Sequence, residues 1–188
     1  MNILIILAST REGRAGEKVA QWVEKLAMAR SDFASELVDL RDWPLPFFTS
    51  AVPPGSPDYQ PEGLVKQWSE KIASADGFLV VTPEYNHGYP GVLKNALDHL
   101  FREWNRKPVA FVSYGGAAGG ARSVEQLRQV AVELQMAPVR EALHIAGIGN
   151  ALGEDDSPKD PSAAKRLAAI FDELAWWATA LKAARQAG

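Results

Sequence analysis

The chain has 188 residues, 47% of them hydrophobic, with 20 basic and 23 acidic side chains and a formal net charge of −3. That length suits one domain, read as residues 1–188, and the near-balance of charge argues against nucleic-acid binding and against the strong acidity of many small electron carriers. The absence of cysteine excludes disulfides, thiolate zinc sites, cysteine-held iron–sulfur clusters and a cysteine nucleophile.

The first element is the apolar run Ile3–Leu7, which reads as a buried strand. No basic segment precedes it and it is too short for a signal peptide. No stretch approaches the ~20 apolar residues of a membrane helix, so a cytoplasmic protein without a membrane partner is expected. Val19, Val23, Leu26 and Ala27 then form the stripe of a first helix. Leu37–Leu40 reads as an edge strand, and Arg41–Gln60 as a long proline-rich loop carrying Trp43, Phe47 and Phe48. A second helix opens at Pro61 with the stripe Leu64, Trp68 and Ile72.

Phe78–Val81 is the next buried strand. The helix after it is read from Pro90 to Trp104, with Leu93, Ala96, Leu97, Leu100 and Phe101 on one side. Val109–Val112 and Val139–Ile145 are the last two strands. Between them lies a helix striped by Val124, Leu127, Ala131 and Leu134. A second irregular stretch, Gly147–Lys159, leads to a final helix opened by Asp160-Pro161 and striped by Leu167, Phe171, Leu174, Ala178 and Leu181. Short apolar runs alternating with amphipathic helices predict an α/β fold: a doubly wound, five-stranded parallel sheet, order 2-1-3-4-5, with helices on both faces. The ligand crevice of such a sheet lies at the carboxyl ends of strands 1 and 3.

Three loops follow strands at that end. Ser9-Thr10-Arg11-Glu12-Gly13-Arg14-Ala15-Gly16 offers hydroxyls, helix-start amides and two arginines, which suits a terminal phosphate. It matches neither the P-loop nor the dinucleotide fingerprint. A plain capped turn with solvated arginines is the competing reading. Thr82-Pro83-Glu84-Tyr85-Asn86-His87-Gly88-Tyr89-Pro90-Gly91 has two prolines and two glycines fixing an unusual path. Its flat apolar surface, with polar groups beside it, suits a heteroaromatic ring. Ser113-Tyr114-Gly115-Gly116-Ala117-Ala118-Gly119-Gly120 has four glycines that allow backbone to approach a ligand closely.

These loops carry a family resemblance. Ser9-Thr10-Arg11, the run Thr82-Pro-Glu-Tyr-Asn-His-Gly-Tyr-Pro-Gly-Val-Leu-Lys-Asn-Ala-Leu-Asp98 and Ser113-Tyr-Gly-Gly116 resemble the NADPH-dependent FMN reductases, flavodoxin-like proteins that include quinone, azo and chromate reductases. The likeness spans roughly residues 1–145. It implies FMN as cofactor, NADPH or NADH as co-substrate, a small-molecule electron acceptor, and a homodimer or homotetramer. On this basis Ser9, Arg11 and the amides near Gly16 would hold the FMN phosphate. Pro83, Glu84, Tyr85 and Asn86 would line the isoalloxazine, and Ser113, Tyr114, Gly115 and Gly116 would approach its pyrimidine end. Many relatives carry a serine after the arginine of the phosphate loop. This chain has Arg14-Ala15-Gly16-Glu17, with Arg14 as the substitute phosphate partner.

In such a protein the flavin carries the chemistry, so no catalytic side chain is assigned. His87 is a candidate proton donor, while His99 and His144 read as structural, and three scattered histidines make a metal site unexpected. Trp104 and the loop of Trp43, Phe47 and Phe48 are candidates for a dimer contact beside the flavin. Two other functions fit a flavin-binding domain: an electron carrier without nicotinamide activity, and a redox sensor without turnover. A serine hydrolase is disfavoured because Phe111 stands where the nucleophile elbow before Ser113 needs glycine.

Overall fold

Uninterrupted apolar runs fold as strands covered on both faces. In the computed structural model, which describes residues 1–187, these are β1 (Asn2–Leu7), β2 (Ala34–Asp39), β3 (Gly77–Pro83), β4 (Pro108–Tyr114) and β5 (Ala137–Ile145). Gly188, the last residue of the expected domain, lies outside the described residues. All neighbours pair in parallel, in the order β2-β1-β3-β4-β5. This is the doubly wound, flavodoxin-like order expected from the alternation of elements.

The helices are α1 (Gly16–Met28), α2 (Gly63–Ala73), α3 (Gly91–Asp98), α4 (Ala121–Glu133), the single turn α5 (Ile148–Ala151) and α6 (Ala163–Ala187). Successive strand residues point to opposite faces. Ile3, Ile5, Leu7, Leu79 and Val81 pack under α1 and α6, whereas Leu4, Ile6, Phe78 and Val80 pack under α2, α3 and α4. Both faces need apolar side chains, so polar alternation disappears from the central strands. Among the described residues no helix is long and apolar enough to cross a membrane.

The second layer is built on indoles. Trp43 meets Trp68 at 5.1 Å between ring centroids, Trp68 meets Trp104 at 6.2 Å, and Trp104 meets Phe78 at 4.8 Å. Their buried N–H groups are satisfied: Trp68 donates to the Ala96 carbonyl at 2.9 Å and Trp104 to that of Leu97 at 3.3 Å. Each such aromatic pair contributes about 0.5–1.5 kcal/mol beyond its buried area. Trp104 is therefore core, 1% exposed, which removes it from the candidate dimer contact. The tethered loop beside it behaves differently. Asn95 accepts from the Phe48 amide at 3.0 Å and donates to the Pro46 carbonyl at 2.9 Å, and His99 donates to that same carbonyl at 2.7 Å. Phe47 stands 85% exposed between these anchors.

Several boundaries differ from expectation, each for a local reason. The helix after β3 ends at Asp98, because the chain beyond it turns and Arg106 takes a left-handed φ of 56°. Apolar periodicity persists to Trp104 because the turns still face the core. The α2 helix starts at Gly63, since Glu62 is extended at φ −124° and ψ 163°. The last helix starts at Ala163. Asp160 accepts from the Ser162 amide at 2.9 Å and so closes the turn before it. The second strand spans Ala34–Asp39, and Asp39 then opens a 3-10 turn by accepting from the Arg41 amide at 2.9 Å.

Candidate functional site

The carboxyl ends of β1, β3 and β4 surround a cavity of about 330 Å³. Of the twelve residues expected there, eight line it: Arg11, Arg14, Pro83, Glu84, Tyr85, Tyr114, Gly115 and Gly116. Gly13, Ala15 and Ile148 complete the wall. Ile148 comes from the acidic, glycine-rich stretch after β5. Its amide donates to the Gly115 carbonyl at 3.0 Å, and that of Gly147 to the Gly116 carbonyl at 2.9 Å. Ser9, Gly16, Asn86 and Ser113 stand just behind or beside this wall.

The phosphate-suited loop is fixed from within. Arg14 is not free: its side chain is 2% exposed and grips Asp39 with both terminal nitrogens, Nη1 to Oδ1 at 2.8 Å and Nη2 to Oδ2. Nη1 also donates to the Ser9 carbonyl. The expectation of Arg14 as a phosphate partner is therefore revised. Its guanidinium shapes the loop, and only Nε lacks a hydrogen-bond partner. Arg11 has no carboxylate within ion-pair distance among the described residues and lies over the Tyr85 ring at 5.7 Å. Ser9 is fully buried and shares a 2.6 Å hydrogen bond with the Tyr85 hydroxyl. Above them α1 begins at Gly16, and its N-cap Ala15 has no side chain to satisfy the first amides. Those amides and the helix dipole leave a place for an anion.

The second loop turns back through a two-residue hairpin. Tyr85 and Gly88 exchange hydrogen bonds of 2.8 and 3.0 Å, with Asn86 at φ 51° and His87 at φ 67°. That is type I′ geometry, which asparagine tolerates and which favours glycine in the second position. His87→Gly should raise stability by about 1 kcal/mol, or about 2–4 °C in Tm, by relieving the left-handed strain. Differential scanning fluorimetry checks this, and a lower Tm would mean that the imidazole itself holds the turn. Glu84 lines the cavity, but its carboxylate is already engaged. Its carboxylate binds the Arg122 guanidinium at 2.6 Å and the Arg122 amide at 3.3 Å, so it caps α4, whose N-cap Gly120 has no side chain.

The third loop splits two residues that the sequence put together. Consecutive strand positions face opposite ways, so Ser113 and Tyr114 cannot both look into the cavity. Tyr114 does. Ser113 is fully buried and donates to the Gly119 carbonyl at 2.8 Å, leaving its oxygen to accept from His144 Nδ1 at 2.7 Å. Burial, then Arg166 and Arg128, hold the His144 pKa below its ordinary value, which suits that neutral role. A sealed hydroxyl is also no nucleophile. The Gly115 amide donates to the Ile145 carbonyl at 3.2 Å, whereas that of Gly116 has no partner among the described residues. His144, read from the sequence as structural, positions Ser113, whereas Asp39 and Arg122 are the positioning residues that sequence reasoning missed, because nothing local marks their distant partners.

The arrangement offers a cationic, amide-rich pocket at one end and a wall of proline, tyrosine and bare backbone at the other. Residues 1–150 match the family model described as NADPH-dependent FMN reductase. The chain is 46% identical over 147 residues to an NAD(P)H-dependent FMN reductase of Schizosaccharomyces pombe, covering 75% of this chain and 72% of that protein. It is 32% identical over 194 residues to a 2-hydroxy-1,4-benzoquinone reductase of a Burkholderia species, covering 94% and 96%. A solved structure, the flavoenzyme NAD(P)H:(acceptor) oxidoreductase FerB of Paracoccus denitrificans, aligns with a TM-score of 0.74 at 25% identity, covering 95% of this chain and 97% of that one.

Proposed function

The chain belongs to the NADPH-dependent FMN reductase family, and from that premise we propose that residues 1–188 form one FMN-binding unit passing reducing equivalents from NAD(P)H to a small acceptor. The observation that carries this reading is the set of unpaired donors around one cavity: Arg11 and the first amides of α1 on one side and the Gly116 amide on the other. A phosphate and the polar edge of a flavin are matched by such a set. Bound FMN would supply the redox chemistry, taking hydride from NAD(P)H and giving two electrons to the acceptor in a ping-pong cycle.

The protein's own work is binding and exclusion. Arg11 and the α1 amides hold the phosphate. Pro83, Tyr85 and the Asn86 turn form the wall against the ring, and Gly116 donates to its polar edge. Ser9, locked to Tyr85, and Arg14, locked to Asp39, keep that wall and the phosphate loop in register. No side chain in the cavity needs to act as nucleophile or base. The cavity mouth is open to small planar or oxyanionic acceptors, namely quinones, azo compounds, free flavins or chromate. A second copy, in a homodimer or homotetramer, would cover the exposed Phe47.

Purified protein reconstituted with FMN should bleach when NADPH is added without oxygen, and a quinone should restore the colour. A flavin that stays yellow would identify an electron carrier instead. Arg11→Ala should weaken FMN binding by about one to two orders of magnitude, since bonds to charged groups are worth about 1.5–3 kcal/mol. Flavin fluorescence quenching measures it, and unchanged affinity removes Arg11 from the phosphate site.

A further inference from the structure

Three hydroxyls meet beneath the start of α1, and they are not equivalent. Ser9 and Tyr85 satisfy one another at 2.6 Å. Tyr114, only 4% exposed, has a buried Oη with no partner in good hydrogen-bond geometry, since the nearby Ser9 hydroxyl is already engaged by Tyr85. That oxygen lies against Gly16, the first residue of α1, so closely that a Cβ added there would overlap both Oη and Cζ. The sequence thus keeps residue 16 bare to admit a polar atom the fold does not use. Buried donors are almost always paired in native proteins, and an exception calls for an explanation, such as an ordered water or a bound ion.

We propose that the Tyr114 hydroxyl is a donor held for the terminal phosphate at the α1 N-terminus, and that it makes the site prefer FMN to riboflavin. This rests on the flavin reading above and departs from the expected place of Tyr114 at the pyrimidine end of the ring. Burial, with the Tyr85 side chain adding to it, pushes the phenol above its ordinary pKa although Ser9, Arg14 and Arg11 act the other way. The group therefore remains a protonated donor at any working pH. A phosphate oxygen placed between Oη, Arg11 and the first α1 amides would satisfy them together, while riboflavin offers only a neutral hydroxyl to that end.

Tyr114→Phe removes the oxygen and keeps the ring packed among the core residues of the α1 face. The apoprotein should be as stable as wild type or melt about 2–8 °C higher, because no bond is lost and a stranded group is gone. FMN affinity should fall about 10- to 100-fold by fluorescence quenching, with riboflavin affinity little changed. Inorganic phosphate should raise the Tm of wild-type apoprotein more than that of the variant. A lower apo Tm would show that the hydroxyl serves the fold, and equal losses for FMN and riboflavin would place it on another part of the flavin. Either result overturns the proposal. Wild-type protein that responds to phosphate through Tyr114 but takes no flavin would overturn the flavin reading while leaving the anion site standing.

Discussion

Asp39→Ala should cost the fold about 3–5 kcal/mol, because it leaves a buried cation with only the half-exposed Glu17 carboxylate, 3.8 Å from Arg14 Nε, as counter-charge. The Arg14 side chain is 2% exposed, so it cannot turn to water without moving the loop, whereas that of Asp39 is 21% exposed and keeps an edge in solvent. Asp39 accepts two bonds from Arg14 and one from the Arg41 amide. Removing it unpins the end of β2 and the loop after β1 together. At about 2–4 °C per kcal/mol for a domain of this size, Tm should fall by about 6–20 °C. FMN affinity should fall with it, through a loop that no longer holds its shape. Asp39→Asn keeps the geometry and loses the charge, so it should lie between wild type and Asp39→Ala. Urea unfolding at pH 7 measures the series, and a loss below 1 kcal/mol for Asp39→Ala would mean that Arg14 finds water or another partner.

The same pair sets a pH signature. Burial acts to raise the Asp39 pKa, but the Arg14 hydrogen bonds, the Arg41 amide and the nearby positive charge outweigh it, and the carboxyl sits below its ordinary value. A depressed carboxyl adds stability that is fully present above its unfolded pKa of about 3.9 and is lost as pH falls through the folded value. The stability gap between wild type and Asp39→Ala should therefore be level from about pH 5 upward and close below about pH 4. A gap that closed near neutrality would point to a histidine instead.

Much of this molecule is legible in its sequence because the fold uses local signals consistently. Ile3–Leu7, Phe78–Val81 and Val109–Val112 are apolar on both alternations, which only a sheet covered twice requires. The three loops were visible because each follows such a run and breaks it with glycine, proline or hydroxyl residues. Side-chain direction was less legible, though one rule was available. The period of two in β4 separates Ser113 from Tyr114. Partners were not legible at all. Nothing around Arg14 announces Asp39, and nothing around Glu84 announces Arg122, since such pairs are chosen by how β2 and α4 come to lie beside the loops. The site therefore divides in kind. Backbone groups and glycines could be read from sequence, but the ion pairs that hold them needed the fold.

Gly120→Ala is the second large effect expected, and it tests the backbone half of that division. Gly120 sits at φ 86° and ψ 10°, a left-handed conformation that alanine adopts only with strain. It is also enclosed. An added Cβ would lie 2.6 Å from Ser113 Cβ and 3.0 Å from the Tyr114 amide nitrogen, and these are strand atoms with no freedom to retreat. Left-handed strain contributes about 1–2 kcal/mol, and overpacking adds about 1–3 kcal/mol. A total loss of about 2–5 kcal/mol follows if the strain and overpacking add. The movement that relieves the clash must pull the start of α4 from β4, which would lengthen the bonds from Arg122 to Glu84 and from Ser113 to the Gly119 carbonyl. Flavin affinity should then drop even in protein that stays folded, as Gly115 and Gly116 shift away from Glu84. Gly116→Ala is the matched control, because an added Cβ there meets nothing within 4 Å. It should leave the unfolding free energy within about 0.5 kcal/mol of wild type, the usual range for unstrained surface changes. Equal losses in the two variants would show that loop flexibility, not the packed left-handed turn at Gly120, sets this side of the cavity.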